Sequence, residues 1–167
     1  FLKNRSNVIW VDKNSSSFQR YKESKPQLLG DHNRDNLSLA FSVFEALNCP
    51  QIVFGKALSF KGLPHRLENL GEHSNILFIN DSKATAMDSS IQACQTIRKQ
   101  FPNRNIIALL GGKDKNMPWH ELGSLKSLNL SFVFFGEVGT KAQLLSGLSG
   151  EIQPTLKAAL DYLKPKL

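Results

Sequence analysis

Between positions 80 and 85 the chain reads NDSKAT, five polar side chains in six positions, directly after the apolar run ILFI. A turn needs one or two such residues; a binding site needs several, aimed at one point. Asp81 offers two carboxylate oxygens as acceptors, Lys83 a positive charge, and Thr85 a hydroxyl that both donates and accepts. Three other clusters have the same character: GDHNRDN (30–36), GLPHR (62–66) and GGKDK (111–115). Taken singly, each has an ordinary explanation. Asp81 and Ser82 would make a turn, Thr85 would cap a helix, Asn33 or Asp31 would cap another, and Lys83, His65 and Arg66 would point into water. Neither GxxxxGK[ST] nor GxGxxG occurs, so no cluster is a phosphate loop or a dinucleotide fingerprint by itself.

Their placement along the chain is more informative. The runs NILFI (75–79), NIIALL (105–110) and LSFVFF (130–135) are short and apolar and read as buried strands. Helical spacing follows each: Met87, Ile91, Cys94, Ile97 and Phe101; then Leu122 and Leu125 after Pro118; then KAQLLSGL. QPTLKAALDYL (153–163) reads as a last helix, and Thr85 with Asp88 as a capping box for the helix at 87. Strands alternating with helices imply a parallel sheet with right-handed crossovers, covered on both faces. NDSKAT, GGKDK and GEVGT (136–140) then all follow strand C-termini, where open α/β sheets place their ligand crevice. Upstream, NVIWV (7–11) reads as a strand, 33–47 as an amphipathic helix with Leu37, Phe41, Phe44 and Leu47 on one side, and 50–58 as a short helix. Gly62 and Pro64 mark a joint over residues 59–68.

The bulk properties exclude several classes. At 167 residues, with 41% hydrophobic and 21% charged side chains, the chain has the composition of a globular protein. No apolar run reaches the roughly 18 to 20 residues that span a bilayer. The opening FLKNRSNVIWVDKN is broken by charge, so no signal peptide is expected, and Phe1 in place of Met points to a start inside a longer protein. Cys49 and Cys94 lack metal or disulfide spacing, His32, His65, His73 and His120 are scattered, and a reducing compartment is expected. The net charge of +7 is spread along the chain without aromatic interleaving, which suits an anionic small substrate better than nucleic acid.

In their order and spacing, GDHNRDN, GLPHRLE, NDSKAT and LLGGKDK resemble the Mur ligases, over roughly residues 28 to 140. GLPHR and NDSKAT in particular resemble the D-glutamate-adding branch and argue against sister ligases and folylpolyglutamate synthases. A basic nucleic-acid-binding α/β domain has only the net charge in its favour. The resemblance implies a cytoplasmic, monomeric ligase of peptidoglycan biosynthesis using ATP and Mg2+. It implies that the carboxylate of UDP-N-acetylmuramoyl-L-alanine is phosphorylated to an acyl phosphate, and that the amine of D-glutamate attacks it and displaces phosphate. It implies that residues 1–60 end a central α/β ATP-binding domain and that 61–167 form a Rossmann-like, doubly wound, mainly parallel amino-acid-binding domain. The phosphate loop, the metal ligands and a serine- and phenylalanine-bearing tail are expected outside this chain, leaving it inactive alone and without a metal site of its own.

Residue by residue, the resemblance makes Asn36 the adenine-reading amide. His65 and Arg66 become nucleotide contacts, and Asp81 the acceptor for ribose hydroxyls. Lys83 becomes the catalytic positive charge near the transferring phosphate or the forming product, and Thr85 and Lys115 the pair that binds the D-glutamate side-chain carboxylate. Two positions depart from the family pattern: Ala86 stands where Asn is usual, and Asn116 where Gly is common.

Overall fold

The computed structural model describes residues 11, 12, 14, 18, 19 and 27–167; the strand expected at 7–11 lies outside these save for Val11. Two compact units divide the chain, Phe1–Leu63 and Pro64–Leu167.

In the first unit, helix α1 (Asp31–Ala46) is followed by α2 (Gln51–Leu58). Leu37, Phe41 and Phe54 are buried, with Phe44, Cys49, Ala57 and Leu58 packed on them. The Phe44 and Phe54 rings meet edge to face, 5.7 Å between centroids, the arrangement their quadrupoles favour. Neither Asp31 nor Asn33 caps α1. The N-cap is Gly30 at φ 94°, a conformation glycine adopts without a Cβ clash, and Asn33 uses its amide to donate to the Leu29 carbonyl at 2.8 Å. Leu47 was expected on the apolar side; it lies just past the helix and is 69% exposed.

The second unit opens with a hairpin that sequence periodicity missed. β1 (Glu68–His73) pairs antiparallel with β2 (Ile76–Asn80), His73 opposite Ile76. The two-residue turn, Ser74 at φ 50° and Asn75 at φ 67°, has both central residues left-handed, as a type I′ turn requires. Ser-Asn is a weak form of that signal, and β1, ENLGEH, is too polar to read as a strand. So the NILFI run, expected in the parallel sheet, has β1 as its pairing partner among the described residues.

The parallel sheet has the order β3-β4-β5, with β3 at Ile107–Gly111, β4 at Ser131–Phe135 and β5 at Glu151–Gln153. Helix α3 (Met87–Gln100) precedes β3. A 3-10 helix (Trp119–Leu128), where an α-helix was expected, joins β3 to β4, and α4 (Gly139–Ser146) joins β4 to β5. Helix α5 (Leu156–Leu163) closes the unit, capped by Thr155, whose Oγ1 accepts the Ala158 N–H at 3.1 Å. Alternation along β4 divides the core. Phe132 and Phe134 face a cluster with Met87, Trp119, Leu122, Leu125, Val138 and Ala142, whereas Val133 faces Ala159 and Leu163 of α5. The sheet is therefore covered on both sides, which is why its strands read as unbroken apolar runs.

Two details position the strand ends. At the end of β3, a Cβ on Gly111 would fall inside van der Waals contact of the Phe135 carbonyl, so only glycine lets β3 and β4 close together there. Near the C-terminus of α3, Arg98 donates to five carbonyls: Leu128 from Nε, Phe101, Pro102 and Arg104 from Nη1, and Asn129 from Nη2 at 2.7 Å.

The capping box expected from Thr85 and Asp88 does not form. The N-cap of α3 is Ala86, in extended conformation at φ −113° and ψ 145°, with no side-chain cap bond. Because that backbone suits a polar cap, Ala86→Asn is expected to stabilise the fold by about 0.5 to 2 kcal/mol. Urea unfolding of the two proteins measures it as a raised midpoint at unchanged slope.

Candidate functional site

The GLPHR loop and the NDSKAT turn, separate clusters in sequence, are one hydrogen-bonded structure. The Lys83 N–H donates to the His65 carbonyl at 3.0 Å, and the Leu67 N–H donates to Asp81 Oδ1 at 2.9 Å. Asn80 Nδ2 lies 2.8 Å from His65 Nδ1, and its Oδ1 accepts the Ser82 N–H at 3.0 Å. Glu68 Oε2 accepts the His65 N–H at 2.8 Å. These bonds hold His65 at φ 66° and Leu67 at φ 43°, left-handed conformations that a non-glycine residue adopts only under constraint. The loop and the strand end thus bring His65, Arg66, Asp81 and Lys83 together. His65, Arg66 and Lys83 are exposed, and Asp81 is half-buried, with Oδ1 accepting the Leu67 N–H. Two cations, an imidazole and a carboxylate on one rigid turn can bind an anion and hydroxyl donors side by side.

Behind this turn, on α3, sits Cys94. Burial first, and the Asp81 carboxylate second, push its thiol up to about 11. A thiol so raised is protonated at neutral pH and is not a nucleophile.

Lys115 lies in the loop after β3 and is exposed, as is Thr85. Asp114 shapes that loop. Its Oδ1 accepts the Asn116 N–H at 2.9 Å, and its Oδ2 takes Lys141 Nζ of α4 at 2.6 Å. The hydrogen bond from Lys141 is the main reason its carboxyl is held below the usual carboxylate range. Asn116 sits at φ 53°, which explains glycine's suitability there; asparagine is among the few other residues that tolerate it. Because the folded carboxyl is depressed, the loop bond is present above the ordinary aspartate range near pH 4 and lost as pH falls through the lower folded value. Asp114→Asn keeps the shape and removes the charge. The variant is expected to lose the part of the acid-range fall in stability that this carboxyl causes; urea unfolding midpoints of both proteins compared between about pH 3 and pH 7 check it.

Asn36, on α1, is exposed and belongs to the first unit. Sequence reasoning passed over Asn80, Glu68, Asp114 and Lys141 as ligand-site supports. Asn80 carried a signal, being the first polar residue after the strand. Glu68 and Lys141 carried none, because their partners are set by loop closure. Among the described residues, no three His, Cys, Asp or Glu side chains gather as metal ligands, and no helix is long and apolar enough to cross a membrane.

No protein-family model matches the chain. It is 35% identical over 155 residues to the UDP-N-acetylmuramoylalanine–D-glutamate ligase of Prochlorococcus marinus, covering 86% of this chain and 32% of that one. The ligase of the same name from Escherichia coli (strain K12) is 30% identical over 168 residues, 99% of this chain and 37% of that one. A UDP-N-acetylmuramoyl-L-alanine–L-glutamate ligase of Xanthomonas euvesicatoria is 32% identical over 121 residues, 71% of this chain and 25% of that one. The chain spans about a third of the length of the first two curated relatives. Among solved structures, UDP-N-acetylmuramate-alanine ligase of Thermotoga maritima superposes with a TM-score of 0.59 at 19% identity, over 73% of this chain and 29% of that one. A murein peptide ligase of Psychrobacter arcticus gives 0.52 at 14%, over 78% and 31%.

The three-stranded parallel sheet, covered by helices, has the α/β fold seen in these solved structures. The chain belongs to the Mur ligase family.

Proposed function

We propose that this chain is part of an ATP-dependent ligase that adds D-glutamate to UDP-N-acetylmuramoyl-L-alanine in peptidoglycan biosynthesis, working in the cytoplasm as a monomer. The observation that carries the reading is the hydrogen-bonded union of GLPHR and NDSKAT, on a chain 30–35% identical to ligases of that name. In this reading residues 1–60 complete an ATP-binding domain and 61–167 form the amino-acid domain. Asn36 reads the adenine. Arg66 and His65 contact the nucleotide, and Asp81 accepts ribose hydroxyls with its plane set by the Leu67 N–H. Lys83 places its charge near the transferring phosphoryl group, where positive charge stabilises the developing anion. Thr85 and Lys115 hold the side-chain carboxylate of glutamate, which orients its amine toward the acyl carbon. Magnesium, which supplies charge neutralisation in phosphoryl transfer, has no ligand set among the described residues, and no step is assigned to it.

The test is phosphate release by the full-length protein, with each substrate omitted in turn. Release that requires UDP-N-acetylmuramoyl-L-alanine, ATP and D-glutamate together is the expected result. Release without an amino acid, or none under any combination, refutes the proposal. A second reading, addition of L-glutamate, is supported by the 32% identity to the Xanthomonas ligase. Substituting L- for D-glutamate in the same assay decides between them.

A further inference from the structure

The amide of Asn80 determines which nitrogen of His65 carries the proton. The Ser82 N–H donates to Asn80 Oδ1 at 3.0 Å, which fixes the amide: its oxygen faces the backbone of residue 82, and its nitrogen faces His65. An amide nitrogen only donates, so His65 Nδ1, 2.8 Å away, must accept and carries no proton. The single proton of the neutral imidazole is then on Nε2. Glu68 does not compete for Nδ1. Its Oε2 is 3.7 Å from that nitrogen and is engaged at 2.8 Å by the His65 backbone N–H. The Lys83 N–H to the His65 carbonyl closes the turn from the other side and fixes the left-handed backbone that carries the ring.

We infer that Asn80 is a positioning residue, which locks His65 as its Nε2–H tautomer and so presents a fixed hydrogen-bond donor to an oxygen acceptor of the nucleotide. The nucleotide half of this inference rests on the proposed function; the tautomer half rests on the geometry alone. The His65 side chain is 52% exposed, so with Nδ1 turned inward to Asn80 the ring keeps its outer edge open to a ligand. A neutral imidazole with Nδ1 satisfied offers only a donor there, which favours phosphate or ribose oxygens over N–H groups.

Two-bond 1H–15N correlation spectra of the imidazole rings in this 167-residue chain, near pH 8 where histidine is ordinarily neutral, read the tautomer directly. The wild type is expected to show Nδ1 wholly unprotonated and Nε2 wholly protonated, without averaging. Asn80→Asp puts an acceptor in place of the donor and is expected to move the proton to Nδ1. Asn80→Ala, which needs no new partner, is expected to give shifts averaged between tautomers. Protonated Nδ1 in the wild type, or identical ring shifts in the wild type and Asn80→Ala, overturns the tautomer assignment. The backbone amide spectrum shows whether each variant is folded, and the wild-type ring alone can overturn the assignment if the variants are not.

In the full-length enzyme, Asn80→Ala is expected to raise the apparent ATP constant roughly five- to tenfold and the glutamate constant by less than about twofold. A tautomer change with the ATP constant unmoved overturns the assignment of the His65 donor to the nucleotide. An enzyme without ligase activity refutes the proposed function instead, and the ring spectra still report on Asn80.

Discussion

Replacing Lys115 by alanine in the proposed full-length ligase is expected to weaken the apparent affinity for D-glutamate roughly 10- to 150-fold. In the proposed site the substitution removes a charge-assisted hydrogen bond to a carboxylate, worth about 1.5 to 3 kcal/mol, and each 1.4 kcal/mol is tenfold in affinity. Lys115 is exposed, on a loop braced by Asp114 and Lys141. Its ammonium is therefore hydrated in the free protein, and in the proposed site the gain on binding comes from the site becoming dry as substrate fills it. The ATP constant should move little, because the proposed nucleotide contacts lie in the loop at 65–66 and the turn after β2. Thr85→Ala should act in the same direction and more weakly, since a neutral hydroxyl contributes less than a charge. Steady-state kinetics with each substrate varied in turn provides the measurement. An unchanged glutamate constant would mean that Lys115 is a solvated surface lysine; a loss confined to ATP would put it in the nucleotide site.

Arg98→Ala should destabilise the fold by about 2 to 4 kcal/mol. One guanidinium satisfies carbonyls from three places: the turn after α3 at Phe101, Pro102 and Arg104, the last residue of the 3-10 helix at Leu128, and Asn129 beyond it. Hydrogen bonds from a charged donor contribute more than neutral ones. Several of these carbonyls can recover water when the side chain is removed, so the total falls well short of five times the single-bond value. Asn129, held at φ 51°, loses the contact that fixes its carbonyl. Arg98→Lys should recover only a small part, because an ammonium cannot reproduce a planar fork that reaches several carbonyls at once. Urea unfolding of this chain and both variants measures the losses. If alanine costs less than about 0.5 kcal/mol, the clasp is a surface decoration.

Much of the second unit was legible because its strands are buried on both faces. NIIALL and LSFVFF are apolar without interruption, and they became β3 and β4 within two residues of the expected limits. Helical spacing at Met87, Ile91 and Cys94 likewise placed α3, since those residues must meet Phe132 and Phe134 across one face. The chemical clusters were legible too, as residue types concentrated after strand ends. Local signals failed where a competing backbone solution existed. Thr85 has a capping side chain, but the chain enters α3 one residue later, at Ala86, because the 80–84 turn is tied to the GLPHR loop. Ser74 and Asn75 close a hairpin that their types barely announce, and so the strand before NDSKAT has an antiparallel partner.

Residue identity and order alone determined that Asp81, Lys83, Thr85 and Lys115 follow strand ends and that the fold is α/β, because burial imposes periodicity on sequence. Only the tertiary structure decided that Asn80 meets His65, that Asp81 holds the Leu67 backbone, and that Asp114 meets Lys141. Those pairs are 14 to 27 positions apart. They exist because loop closure brings polar groups together that must then satisfy one another. Hydrogen bonding of that kind leaves no periodic trace in a sequence, since either partner alone would serve equally well in water.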